Sequence, residues 1–296
     1  MRLYLSLLSS LLLLAPGLQA SGDPHPHRVT ILYDAFGGRP GLIRDWGFAA
    51  LVEYGGKRIL FDTGNNAEIF ARNVRALGVD LRRLDFVVIS HRHGDHTSGL
   101  SYLLRVNPHV KIYAPKEGFG VFGAALPSTF YRRDASLPDS MRYYESSPPE
   151  EMRFGTPWPQ ANIQWIDSLT EVAPGVTIIS TVSQNAGTLE LRELSLAVRG
   201  PEGLVLLVGC SHPGIETILQ AARPLGDHVG MIFGGLHLVT TPDTAIARIA
   251  SALRDRWRVV TIAPGHCTGE PAFAELQRVF GARYRYAGLG VVAEIS

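Results

Sequence analysis

Apolar positions along this chain alternate between two spacings, and the alternation predicts sheets covered by helices. Strand patterns fall at residues 28–34 (RVTILYD), 48–54 (FAALVEY) and 58–62 (RILFD), the last two forming a hairpin around Gly55-Gly56. Residues 66–77 instead place Ile69, Phe70, Val74 and Leu77 at helical spacing and stop at Gly78. Residues 86–90 (FVVIS) form a short, continuously apolar strand of the kind buried on both faces. Residues 97–105 read as helix and 110–114 as strand.

The pattern breaks between about residues 115 and 160, a segment rich in Gly, Pro, Ser and Tyr. It reads as an insertion, either a lid that shapes the substrate site or surface decoration. Tyr131, Arg132, Arg133, Tyr143 and Tyr144 within it are candidate contacts for an anionic or aromatic substrate, or plain solvated side chains. Alternation resumes near Ile163. Strands are predicted at 176–181, 194–198, 204–208, 229–233, 259–263 and 290–295, and helices at 215–222, 243–253 and 272–280. Two halves on either side of the insertion suit two sheets packed face to face with helices outside, without a sequence repeat linking them.

The first twenty residues differ from the rest. Arg2 precedes the run LYLSLLSSLLLLA, and PGLQA follows, ending in a small residue at Ala20. This is the pattern of a secretory signal, and cleavage after Ala20 leaves one domain, 21–296, in the periplasm or outside the cell. The apolar run is short for a membrane span, so no membrane association is expected after cleavage.

Composition narrows the picture further. The 296 residues are 46% hydrophobic and 19% charged, and Lys+Arg 28 against Asp+Glu 27 gives a net charge of +1. Such a chain builds a sizeable core. With no basic tract, nothing points to nucleic acid, and a small molecule is the expected partner. The two cysteines, Cys210 and Cys267, each neighbour a histidine motif, in GCSH and GHCTG, so a disulfide competes with a role near metal.

Histidines gather where predicted strands end. His91 and His93 follow 86–90, Cys210 and His212 follow 204–208, His237 follows 229–233, and His266 follows 259–263. Loops leaving strand ends build sites in layered α/β folds. In SHRHGDHTSG, His91 and His93 are two apart and can point the same way from an extended loop. Asp95 and His96 sit at the start of the next helix. One ion cannot readily take all four ligands from so short a turn, whereas two ions can, and imidazole with carboxylate suits zinc.

This stretch resembles the SHxHxDHxxG motif of the metallo-β-lactamase superfamily, and ILFDTG upstream adds to the likeness. The resemblance implies an αβ/βα four-layer sandwich. It implies His91 and His93 on a first metal, Asp95 and His96 on a second, and Asp62 supporting the site through a hydrogen bond to a ligand. The segments LVLLVGCSHPGI, FGGLHL and APGHCTG are similar to one branch, that of the 7,8-dihydropterin-6-methyl-4-(β-D-ribofuranosyl)aminobenzene-5′-phosphate synthases and their bacterial relatives.

The chain departs from the wider superfamily twice. The TPGHT-like segment that carries a third ligand of the first metal is missing, and TVSQNAGTLELRELS in its place has no histidine. The bridging aspartate of a GD pair is replaced by Cys210 in Gly209-Cys210. His212 is then the substitute ligand of the first metal and His266 a ligand of the second. Cys210 either touches metal or packs as a small hydrophobe. His237 is a further ligand or a group that binds substrate or moves protons. Cys267, pointing away from His266 in an extended segment, is expected to pack.

The activity implied is hydrolysis of an ester, amide or phosphoester by a metal-activated hydroxide, with two Zn2+ ions, or Mn2+ or Fe2+, as cofactor, Asp95 orienting the nucleophile and His237 protonating the leaving group. Two other readings stay open. One is a divergent β-lactamase, against which the missing TPGHT-like ligand argues. The other is a non-catalytic metal- or ligand-binding protein on the same fold.

Overall fold

A computed structural model describes residues 26–117, 125–130, 135, 142–153, 158 and 160–295. The expected signal segment and residues 131–133 lie outside the described residues. No helix among the described residues is long and apolar enough to cross a membrane.

The chain runs β1 (Arg28–Tyr33), β2 (Ala49–Tyr54), β3 (Lys57–Phe61), α1 (Ala67–Ala76), β4 (Phe86–Val88), α2 (Gly94–Thr97), α3 (Leu100–Val106) and β5 (Lys111–Pro115). A two-stranded ribbon, β6 (Ala125–Pro127) with β7 (Glu151–Arg153), belongs to the insertion. Then come β8 (Asn162–Ile166), β9 (Thr170–Ala173), β10 (Val176–Val182), β11 (Arg192–Gly200), β12 (Gly203–Val208), α4 (Ile215–Ala222), β13 (Val229–Gly235), α5 (Asp243–Asp255), β14 (Thr261–Gly265), α6 (Glu270–Phe280) and β15 (Val292–Glu294).

Two sheets form, in the orders β15-β1-β2-β3-β4-β5-β8 and β14-β13-β12-β11-β10-β9. Their strands read as continuous apolar runs because both faces are covered. In β3, Ile59 and Phe61 face the opposing sheet while Leu60 faces α1 and α3. In β12, Val205 and Leu207 face inward while Leu204, Leu206 and Val208 meet α4 and its neighbours. The period of two thus feeds a central core and two outer ones, and the layers are helix, sheet, sheet, helix.

Local chemistry sets the element ends. Asn66 caps α1, its side chain accepting from the Glu68 and Ile69 amides at 2.9 and 3.1 Å. The predicted strand over 86–90 stops at Val88, because the Ser90 amide donates to the Asp62 carboxylate instead of to a neighbouring strand. The predicted helix over 97–105 is two helices, α2 and α3, that turn at Ser98-Gly99. The strand predicted at 259–263 lies two residues further on, and β9 was not legible because TEVA is short and half polar.

The last glycine of SHRHGDHTSG has a steric reason. A Cβ on Gly99 would stand 2.1 Å from the Thr63 carbonyl oxygen. The α2–α3 corner therefore presses directly on the backbone that follows Asp62. Gly99→Ala is expected to cost about 1–3 kcal/mol by forcing these backbones apart, measured as a lower denaturant midpoint at unchanged slope.

β3, β4, β5 and β8 are mutually parallel, as are β12, β13 and β14. Their carboxyl ends meet on one rim of the sandwich. There the Leu194 amide of β11 donates to the Ser90 carbonyl at 2.7 Å, tying one sheet to the other beside the histidine loop.

Candidate metal centre

Five strand ends deliver the polar residues of this rim. Asp62 follows β3; His91, His93, Asp95 and His96 follow β4; Cys210 and His212 follow β12; His237 follows β13; His266 follows β14. Asp62, Ser211, His237 and His266 all have φ between 48° and 65°, the left-handed region that non-glycine residues seldom occupy. Such conformations persist where the surroundings hold them, and here they cluster at one site.

The side chains converge in two triads. The ligand atoms of His91, His93 and His212 lie within 4.8 Å of one another, and so do those of Asp95, His96 and His266. His91 Nε2 and His93 Nδ1 are 3.1 Å apart, His96 Nε2 and His266 Nε2 3.2 Å, and His266 Nε2 and Asp95 Oδ2 3.3 Å. Ligand atoms on a tetrahedral zinc with bonds of about 2.0–2.1 Å stand roughly 3.3 Å apart. Cys210 Sγ lies between the triads, 3.2 Å from His96 Nε2, and groups with His91 and His96. The donor set fits a pair of divalent ions, with His91, His93 and His212 able to hold one and Asp95, His96 and His266 the other.

Three of the rings, those of His91, His96 and His212, are turned by a partner behind them. Asp62 Oδ2 is 2.7 Å from His96 Nδ1 and 2.7 Å from Ser90 Oγ, which lies 2.8 Å from His91 Nδ1. One carboxylate thereby fixes two imidazoles with Nε2 facing the centre. Glu193, fully buried, does the same for His212. It accepts from the Cys210, Ser211 and His212 amides at 2.8, 2.7 and 2.8 Å and pairs with His212 Nδ1 at 3.0 Å. Asp34, also buried, accepts the His266 amide at 3.0 Å and the Ala35 amide at 2.7 Å.

Glu193 and Asp34 were missed in the sequence. Both had a faint signal, since each is a carboxylate at the edge of an apolar strand pattern. The histidine-free segment around Glu193 also gains a purpose. Ser183 Oγ and Asn185 Nδ2 donate to the His212 carbonyl at 3.1 and 2.5 Å, so this stretch holds His212 in place.

Burial and charge divide the histidines. Burial, then the neighbouring imidazoles, holds His91 well below its ordinary value, and burial with His212 brings His93 down to about 4. Burial opposes charge on His96 too, but Asp62 and then Asp95 outweigh it and raise the ring to about 9. Burial likewise works against ionised Asp95, yet His266 and His96 hold its carboxyl far below the usual range. Burial also raises Asp34 to about 8. At neutral pH His91 and His93 are thus ready donors, whereas His96 must lose a proton before Nε2 can bind an ion. Metal affinity of the Asp95/His96/His266 group should rise about tenfold per pH unit from pH 7 towards 9. A competition titration with a chelating dye across that range reads it, and a flat profile would mean a neutral His96.

Cys267 departs from expectation. It does not simply pack. The backbone leaves β14 in a tight helical turn, not an extended segment, which swings its thiol to 3.7 Å from the Cys210 carbonyl and towards His237. Neither cysteine is disulfide-bonded. Burial pushes Cys210 up, while Cys210 and His237 outweigh burial at Cys267 and bring it down. His237 is solvent-facing, its ring centroid 4.4 Å from that of His212. Trp46, 46% exposed, stands with its ring centroid 5.2 Å from that of His266 and had no sequence signal. In the insertion, Tyr144 is exposed to solvent.

Residues 46–236 match the sequence profile of the metallo-beta-lactamase superfamily. The chain belongs to that superfamily. A relative named 7,8-dihydropterin-6-methyl-4-(beta-D-ribofuranosyl)-aminobenzene-5'-phosphate synthase, from Methanocaldococcus jannaschii, is 28% identical over 72% of this chain and 76% of its own length. The solved structure of Tm1679, described as a metal-dependent hydrolase of the beta-lactamase superfamily, is 27% identical, with a TM-score of 0.69 over 91% of this chain and 99% of its own. Human tRNase Z, short form, shares the fold at 16% identity and a TM-score of 0.51, covering 91% of this chain and 99% of its own. This metallo-beta-lactamase superfamily chain therefore has the superfamily's hydrolase-type αβ/βα sandwich with candidate ligands for divalent metal on its rim.

Proposed function

We propose that this protein is an exported hydrolase that uses two divalent ions, zinc foremost, to cleave an ester, amide or phosphoester of a small molecule. The observation that carries the reading is the pair of triads, His91/His93/His212 and Asp95/His96/His266, with close-set donor atoms and with the His91, His96 and His212 rings oriented from behind. The basic, apolar leader ending at Ala20 supports export.

When bound, the ions polarise a carbonyl or phosphoryl oxygen and acidify a water. The protein's own groups do the rest. Asp95 Oδ2, still partly open to solvent, orients the attacking water by accepting a hydrogen bond from it. His237, solvent-facing beside His212, delivers a proton to the leaving group from a ring nitrogen. Asp62, directly on His96 Nδ1 and through Ser90 on His91 Nδ1, and Glu193 on His212 Nδ1 keep these rings in their tautomers. Trp46 offers a flat apolar wall next to His266, suited to an aromatic or sugar ring. The name of the archaeal relative contains a pterin, an aminobenzene and a phosphorylated ribose, so phosphorylated aromatic ribosides belong in the substrate screen.

The deciding experiment is metal content by mass spectrometry on the purified mature protein beside His266→Ala. About two equivalents, falling to about one in the variant, are expected, together with chelator-sensitive turnover in a screen of phosphoesters, esters and lactones. One equivalent unchanged by the substitution would remove the second triad from the reading. Protein that refuses added zinc would favour the binding-protein alternative. Export is checked separately by the N-terminal residue of protein from the extracytoplasmic fraction, expected at Ser21.

A further inference from the structure

The two triads and their supporting carboxylates do not account for three motif residues, Cys210 of GCSH, His237 of GGLHL and Cys267 of GHCTG. These come from three different strand exits and meet at one point. Their ligand atoms lie within 4.8 Å of one another, with both thiols buried and the imidazole facing solvent.

The backbone is shaped to permit this meeting. β13 ends in Gly234-Gly235, between the exits that carry the two cysteines. A Cβ on Gly235 would stand 2.7 Å from Cys267 Sγ, 2.5 Å from the Gly209 carbonyl oxygen and 3.4 Å from Cys210 Cα. Any side chain there would fill the space through which the Cys267 thiol reaches towards Cys210. The next turn is clipped to the one bearing Cys267. The Leu236 amide donates to Thr268 Oγ1 at 3.1 Å and the Val239 amide to the Cys267 carbonyl at 3.2 Å. His237, between these two bonds, is held in a left-handed conformation with φ 49°. A buried cysteine acting only as a small hydrophobe needs neither a second thiol nor a strained imidazole beside it.

We propose that Cys210, His237 and Cys267 form a thiolate-rich site for a soft, thiophilic cation, joined to the binuclear centre through the Cys210 sulfur. Two thiolates and one imidazole are a donor set for Zn2+, its heavier congener Cd2+, or Cu+. With metal–sulfur bonds of about 2.3 Å, tetrahedral ligands stand roughly 3.8 Å apart, so modest closure of the observed group suffices. Binding releases the thiol protons to solvent, and the fourth position opens on the side that His237 faces. The site draws on no histidine of either triad, though it shares His237 with the proposed proton delivery, so a bound cation takes that ring out of the reaction and binding here is measured apart from turnover.

The test uses the full-length mature protein, reduced and stripped with chelator, titrated with Cd2+ while thiolate-to-cadmium charge-transfer absorption is followed. Wild type should show a band of two thiolates. Cys267→Ser and Cys267→Ala should each lower it by about half, and His237→Ala should weaken Cd2+ binding by about tenfold or more. His93→Ala, which leaves all three residues in place, should keep the band even where it empties the first triad. X-ray absorption at the cadmium edge of wild-type protein loaded with one equivalent needs no variant, and two sulfur neighbours are expected. A band equal in wild type and both Cys267 variants, or a single sulfur neighbour, would overturn the proposal while leaving Cys210 free to serve the binuclear centre alone.

Discussion

Asp95→Asn should lower kcat/KM by about 10²–10⁴, with most of the loss in kcat, because the substitution removes the negative oxygen that orients the attacking water and one charged donor of the second triad while keeping the shape. The amide has the shape of the carboxylate, and Asp95 sits in α2, whose position is fixed by backbone contacts. The Phe48 amide donates to the Asp95 carbonyl at 3.2 Å, and the Thr63 amide to the His96 carbonyl at 2.8 Å. The fold should therefore be unchanged. The uncharged amide also withdraws the negative partner of His96 and His266, at 3.8 and 3.3 Å. The second equivalent of metal should accordingly bind more weakly, while the first, on His91, His93 and His212, is retained. Steady-state kinetics at saturating metal, with metal content on the same samples, separates the two effects. A variant that keeps full kcat at saturating metal would remove Asp95 from the chemistry and leave it a ligand alone.

Glu193→Ala should be the most destabilising single change at the rim, by about 3–5 kcal/mol, because it deletes a buried carboxylate that several donors converge on. Three amides, those of Cys210, Ser211 and His212, lose their acceptor in a place water does not reach. The melting temperature of a domain this size should fall by roughly 10 °C. Glu193→Gln keeps an acceptor oxygen for some of these amides and should cost less. It also turns an amide group towards His212 Nδ1, so metal held by His91, His93 and His212 should bind about 10–100-fold more weakly. The linkage has a definite sign. Burial opposes the ionised form of Glu193, but His212 and the amides outweigh it and hold the carboxyl below its ordinary range. Its stabilisation is present above the unfolded carboxylate value and is lost as pH falls through the depressed folded one. Acid unfolding should therefore begin at higher pH in Glu193→Gln than in the wild-type protein, read by circular dichroism.

Much of the architecture was legible because two sheets covered on both faces leave long apolar runs of period two, and outer helices leave runs at helical spacing. The helix at 215–222 coincides with α4 to the residue, since Gly214 and the change of period bracket it. The histidines were legible as a set because each closes a strand. What sequence could not show was depth. Glu193 and Asp34 are ordinary acidic residues until the fold removes water from around them. Trp46 is one of four tryptophans until it stands beside His266. Cys267 was misplaced for a backbone reason. A strand exit that continues straight sends neighbouring side chains apart, whereas the tight turn at His266–Thr268 swings the thiol under His237.

The edge of the larger sheet carries a consequence for how the molecule is made. β1, the first strand, is flanked on one side by β2 and on the other by β15, with Arg28 opposite Glu294 and Thr30 opposite Val292. Until β15 is made, β1 is an open border with unpaired amides, and His266 must meet His96 from 170 positions away. Contacts of such long sequence separation form late and slowly. Folding of this sheet is therefore a closing event rather than a progressive one, and before β15 docks the border of β1 is free to pair with a foreign strand.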